Sequence, residues 1–113
     1  MAEMREPTFL ILTALAEGRK HGYALIAGAA TLSGGRVAVK VGTLYAALDR
    51  LQEQGRVAEA GEEVVDGRLR RYYELTDAGA RDLAEEVGRL ERNARQARQS
   101  LARRGVAIAG AGA

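Results

Sequence analysis

DGRLRRYYELTDAG, residues 66–79, joins a tight-turn dipeptide to three arginines, two tyrosines and a helix-start signal. Both central residues of a two-residue hairpin loop need positive φ, which Asp-Gly supplies. The flanking stretches VAEAGEEVV (57–65) and RLRRYYEL (68–75) are therefore predicted to pair as strands. With Asp66 and Gly67 as the loop, Val65 faces Arg68, Val64 faces Leu69, Glu63 faces Arg70 and Glu62 faces Arg71. Arg70 and Arg71 thus have carboxylates across the ladder. Exposed pairs of this kind contribute roughly 0.2–1 kcal/mol and do not exclude an outside partner. Arg68, at the tip, has no carboxylate opposite and is the leading contact candidate of the hairpin. Tyr73 shares a strand face with Leu75 and is assigned to the core, whereas Tyr72 lies on the face of Arg70.

Outward from the hairpin the period changes from two to three and a half. Thr76 opens a long helix in which Ala80, Leu83, Val87, Leu90, Ala94, Ala97 and Leu101 recur in alternating steps of three and four, the a/d seam of a coiled coil. On the other side, Gly42–Gln54 places Leu44, Ala47, Leu48 and Leu51 on one helical stripe, with Gly42, Ala46, Asp49, Arg50 and Glu53 opposite, until Gly55 ends it. Further upstream, Pro7 suits the first turn of a helix that is apolar nearly all round and stops near Gly18. A polar break, GRKHG (18–22), precedes a short helix from Tyr23 to Leu32, and RVAVKV (36–41) is assigned as a connection. The fold class that follows is mainly α with a small β-hairpin: a winged helix-turn-helix plus a long C-terminal dimerisation helix. The predicted division is 1–75 for the winged helix-turn-helix unit, 76–104 for the dimerisation helix and 105–113 for a flexible, glycine-rich tail.

The totals agree with one small body carrying an extension. The 113 residues are 47% apolar and 28% charged, with five aromatics, so aliphatic side chains must supply the packing. Cysteine is absent, which excludes disulfides and thiolate metal sites and fits a reducing, cytoplasmic setting. FLILTALA (9–16) is too short to span a bilayer and lacks the basic leader of a signal peptide, so no membrane partner is expected. No catalytic constellation, cofactor motif or metal cluster is found: His21 stands alone, and the glycines of SGGR match neither phosphate-loop pattern.

A helix that enters the major groove needs small or hydrogen-bonding residues toward its N-terminus. Gly42 and Ala46 permit close approach, Thr43 and Tyr45 can bond phosphates or base edges, and Arg50 lies on the outer side. Lys40, just ahead, adds a phosphate contact, and Lys20 and His21 open the preceding helix on the same side. Together with Arg68 and Arg70 these form the candidate DNA-binding set. Asp49 argues the other way, since a carboxylate repels phosphate unless it accepts from a cytosine amine.

Three segments in this order, HGYALI (21–26), GTLYAALDRLQEQG (42–55) and GRLRRYYELTDAG (67–79), resemble the PadR family of bacterial transcriptional regulators over roughly residues 7–90. The resemblance implies a homodimeric winged-helix repressor on a palindromic double-stranded operator, released by a small-molecule effector. Matched by position, Gly42, Thr43 and Tyr45 fall in the family's recognition-helix motif. His21, Gly22 and Tyr23 fall at its second-helix start, and residues 70–75 in its wing, with Tyr23 and Tyr73 mainly structural. Lys40 and Val41 depart from the serine and proline common there, which weakens the expected helix cap. The chain also lacks tryptophan, so sensing by insertion between tryptophans is not expected. Two functions remain compatible with the residues: a sequence-specific DNA-binding regulator, and a winged-helix protein-interaction module whose arginines are paired with glutamates.

Overall fold

The computed structural model describes residues 3–108. Its elements run α1 (Glu6–Ala16), β1 (Lys20–His21), α2 (Gly22–Leu32), α3 (Val41–Glu53), β2 (Val57–Val65), β3 (Arg68–Leu75) and α4 (Asp77–Arg103). The first three helices enclose one core. α1 buries Leu10, Ile11, Leu12, Ala14 and Leu15, α2 buries Leu25 and Ala29, and α3 buries Leu44, Ala47, Leu48 and Leu51. Leu12, Leu25, Leu44 and Leu48 are wholly removed from solvent. Burial at that level is worth about 1.5–3 kcal/mol for each leucine, so these four side chains carry much of the assembly of the helices. Lys40 is the N-cap residue of α3 and makes no side-chain cap hydrogen bond, as expected where serine is absent.

The hairpin has the predicted loop and register. Asp66 (φ 53°) and Gly67 (φ 75°) both take the positive φ of a primed turn, and Val65, Val64, Glu63 and Glu62 face Arg68, Leu69, Arg70 and Arg71. Two features were not foreseen. A bulge between Glu59 and Glu62 adds one residue to β2, with Gly61 at φ 104°. The polar break also holds a strand: Lys20 and His21 pair antiparallel with Tyr73 and Tyr72, giving a three-stranded sheet in the order β1-β3-β2. The hairpin is thereby tied by main-chain bonds to the start of α2. Tyr73 is 4% exposed and belongs to the core as expected.

α4 starts at a well-made joint. The Gly79 N–H donates to the Thr76 hydroxyl at 2.9 Å, and that hydroxyl donates to the Gly55 carbonyl at 2.6 Å. A Cβ at Gly79 would overlap the Arg56 carbonyl, so the glycine lets α4 press against the α3–β2 turn. Arg56 adds a hydrogen-bonded ion pair to Asp82 at 2.7 Å. One turn on, the buried Glu86 carboxylate accepts two bonds from Arg89, at 2.8 and 2.6 Å, and one from the Met4 N–H. The Arg89 guanidinium holds the Glu86 carboxyl below the usual carboxylate range against the opposing effect of burial. Past this point α4 leaves the body, and residues 91–100 are exposed throughout, in a molecule 60 Å long and 27 Å wide. Of the predicted seam, Leu83 packs on the protein's own core, while Ala80, Val87, Leu90, Ala94 and Ala97 face solvent and Leu101 is half-buried. Residues 105–108 carry neither helix nor strand, and the rest of the expected tail lies outside the described residues. No helix among the described residues is long and apolar enough to cross a membrane.

Candidate nucleic-acid interface

α3 buries one stripe and presents the other. Gly42, Thr43, Tyr45, Ala46, Asp49 and Arg50 are exposed, as is Lys40 at the cap. The free N–H groups of the first turn therefore open to solvent beside a lysine, which favours an anion. Among the described residues, nothing lies within 4 Å of where a Cβ on Gly42 would stand.

The segments around His21 and Tyr45 meet in space. A Cβ at Gly22 would overlap the Tyr45 hydroxyl, so glycine there lets the ring of α3 lie across the start of α2. His21 caps α2, its Nδ1 accepting from the Ala24 N–H at 3.3 Å. Only the neutral ring with Nδ1 unprotonated can accept that bond. Burial of the imidazole, followed by the nearby Arg70 cation, lowers the His21 pKa, and Glu63 opposes them. Tyr23, expected to be structural, is instead 69% exposed, because the buried stripe of α2 runs through Gly22, Leu25 and Ala29.

The wing leans over this corner. His21, Tyr23, Tyr45, Arg68 and Arg70 line a common cleft of about 510 Å³. Arg19, which the sequence did not single out, holds the wing in place. Its Nη1 donates to the Ala60 carbonyl at 2.8 Å beside the bulge, and its guanidinium lies 4.3 Å from the centre of the Tyr72 ring. The same ring stands perpendicular to that of His21 with centroids 5.5 Å apart, and its hydroxyl donates to Glu63 at 2.6 Å. That last bond matters for charge: Glu63 turns to Tyr72, and Arg70 makes no ion pair among the described residues. Arg71 does, with Glu62 at 3.5 Å and Glu59 at 3.7 Å. Arg68 and Lys40 make none.

Two candidates stand apart from this cluster. Lys20 lies in β1 with its ammonium 3.8 Å from Glu17. Arg50, two turns after Thr43, lines a separate cleft of about 400 Å³ with Glu3, Arg5 and Arg56. Among the described residues no group of three or more His, Cys, Asp or Glu could hold a metal ion.

Comparisons with known proteins bear on the family and the fold. Residues 11–85 match the Transcriptional regulator PadR-like family. The transcriptional regulator Rv3488 of Mycobacterium tuberculosis is 45% identical over 58 residues, which are 51% of this chain, and the chain spans about half of that relative, 53%. A Thermoplasma acidophilum structure assigned as a transcriptional regulator aligns with a TM-score of 0.68 at 27% identity, covering 90% of this chain and 93% of its own. Bacillus subtilis PadR, solved in complex with operator DNA, aligns with a TM-score of 0.65 at 23% identity over 74% of this chain and 47% of its own, and shares the fold.

Proposed function

The chain belongs to the PadR-like family of transcriptional regulators, and on that premise we propose that it is a homodimeric, sequence-specific DNA-binding repressor whose grip on a palindromic operator is relieved by a small effector. The observation that carries the proposal is the cleft shared by His21, Tyr45, Arg68 and Arg70, together with the exposed N-terminus of α3 at Lys40. Residues 1–75 act as the DNA-binding unit and 76–104 as the dimerisation helix. In the groove, Gly42 and Ala46 allow approach while Thr43 and Tyr45 meet phosphates or base edges, and Arg50 reaches outward from the far end of α3. Arg68 and Arg70 grip the flanking backbone, with Lys20 and His21 on the phosphate side of α2. The operator complex of Bacillus subtilis PadR supports this use of the shared fold. The exposed seam of α4 supports the dimer, because two half-sites one helical turn apart require two recognition helices.

Fluorescence anisotropy with DNA from upstream of its own gene, against a scrambled duplex, tests the proposal. Tighter binding to the former is expected, with affinity falling steeply with salt. Equal affinity for both duplexes at every salt concentration would reject sequence-specific binding. Full DNA retention after replacing Lys40 and Arg68 by alanine would favour the protein-interaction alternative, which among the hairpin arginines only Arg71 supports, through its pairing with Glu59 and Glu62.

A further inference from the structure

Arg70 and Arg71 start from equivalent positions in the hairpin. Each lies directly across the ladder from a glutamate, Arg70 from Glu63 and Arg71 from Glu62. Residues placed so have Cβ atoms about 4.5–5.5 Å apart, close enough for their side chains to form an ion pair. Arg71 forms one, its Nε standing 3.5 Å from Glu62 and 3.7 Å from Glu59. Arg70 forms none among the described residues. Register and residue type at the two facing pairs are alike, so neither accounts for the difference. The Tyr72 hydroxyl does: it donates to Glu63 at 2.6 Å, the length of a charge-assisted hydrogen bond.

We infer that Tyr72 is a positioning residue of the DNA-binding face: its hydroxyl draws the Glu63 carboxylate off Arg70 and leaves the Arg70 guanidinium for phosphate, while Tyr72 itself touches no nucleic acid. This rests on the DNA-binding reading proposed above and adds the device that keeps one of its cations unpaired.

Rigidity decides the competition for Glu63. The Tyr72 ring is already held, by the Arg19 guanidinium 4.3 Å from its centre, by the perpendicular His21 ring at 5.5 Å and by the strand pairing of His21 with Tyr72. A phenol fixed in this way makes its bond with little further ordering, whereas an ion pair with Glu63 would immobilise the long, flexible side chain of Arg70. An exposed ion pair gains little to offset that loss, so the carboxylate goes to the hydroxyl. Arg70 then lines the cleft beside His21, Tyr45 and Arg68 with its charge uncompensated. The anchoring of the wing by Arg19 and the availability of Arg70 are thus one arrangement, joined through the ring of Tyr72.

Tyr72→Phe tests this, because it keeps the ring that Arg19 and His21 hold and removes only the hydroxyl. Salt titrations by fluorescence anisotropy compare the parent chain, Tyr72→Phe and Tyr72→Phe/Glu63→Gln, on the duplex from upstream of its own gene and on a scrambled one. Each phosphate contact contributes about 0.9 to the slope of log affinity against log salt. Tyr72→Phe is expected to make the slope shallower by about 0.9 per protomer on both duplexes, as Glu63 closes on Arg70. Adding Glu63→Gln is expected to return the slope to the parent value. An unchanged slope in Tyr72→Phe would overturn the inference and leave the DNA-binding reading standing. A loss that Glu63→Gln does not reverse would overturn it too, since the hydroxyl would then act on DNA itself. Urea unfolding supplies a readout without DNA: the midpoint shifts of Glu63→Gln and Arg70→Gln are expected to be near additive in the parent and non-additive in the Tyr72→Phe background. Equal coupling in the two backgrounds would mean that Tyr72 diverts nothing, and would overturn the inference by itself. A parent chain that binds neither duplex would overturn the DNA-binding reading, and with it the role given to Arg70.

Discussion

Under the proposed function, replacing Arg68 by alanine isolates the electrostatic part of DNA binding. The side chain is exposed at the hairpin tip and makes no ion pair among the described residues, so its loss leaves folding unchanged. Among the described residues Lys40, Arg68 and Arg70 have no carboxylate partner, which makes six such cations in the proposed homodimer. Six phosphate contacts imply a slope of log affinity against log salt near −5.4, hence a loss on the order of 10³ between 50 and 200 mM. Without Arg68 four remain, the slope becomes about −3.6, and the same step in salt costs roughly 150-fold. Anisotropy titrations at four or five salt concentrations, on operator and scrambled duplexes, read both numbers. Because the contact is to backbone, the slope should fall by about 1.8 on both duplexes. An unchanged slope, or a loss confined to the operator, would refute the assignment of Arg68 to phosphate.

Three further outcomes follow from the geometry. Gly22→Ala should destabilise the fold by about 1–3 kcal/mol through overlap with the Tyr45 hydroxyl, and Tyr45→Phe should recover part of that loss in thermal unfolding. Thr76→Ala removes the cap of α4 and its bond to Gly55, and should cost about 1 kcal/mol in chemical denaturation. His21 has its pKa lowered in the fold, so the unfolded chain binds the extra proton more readily. Its contribution is present above the unfolded value near 6.5 and is lost as pH falls from there through the lowered folded value. The upper end of this range, near 6.5, lies above the ordinary carboxylate range. The melting temperature should drop over that window in the parent chain, and the drop should vanish in His21→Asn, which keeps a cap acceptor.

Strong periodicity and turn chemistry made most of the architecture legible. The Asp66–Gly67 loop determined the register of four cross-strand pairs, and the stripe of α3 separated its buried leucines from Thr43 and Ala46. What escaped had no periodic signal. β1 is two residues long, and its pairing with Tyr72 and Tyr73 arises from a long-range contact. The bulge hinged on Gly61, whose role shows only when both strand ends are known. Arg50 shows another limit. Spacing gives the direction in which a helical residue points, but not which neighbour lies there, and here the neighbour is Arg5 rather than the wing. The heptad pattern of α4 likewise could not separate positions such as Leu83, covered by the chain's own core, from Val87 and Leu90, left uncovered.

The joint where α3, β2 and α4 converge leaves no slack. Thr76 to Gly55, Gly79 against the Arg56 carbonyl and Arg56 to Asp82 fasten three elements within a few residues. In the proposed homodimer, the arm and the reading head of each subunit would therefore turn as a single lever. Under the proposed function, a signal that loosens the DNA complex would find no hinge at this joint and would have to re-aim one rigid half against the other.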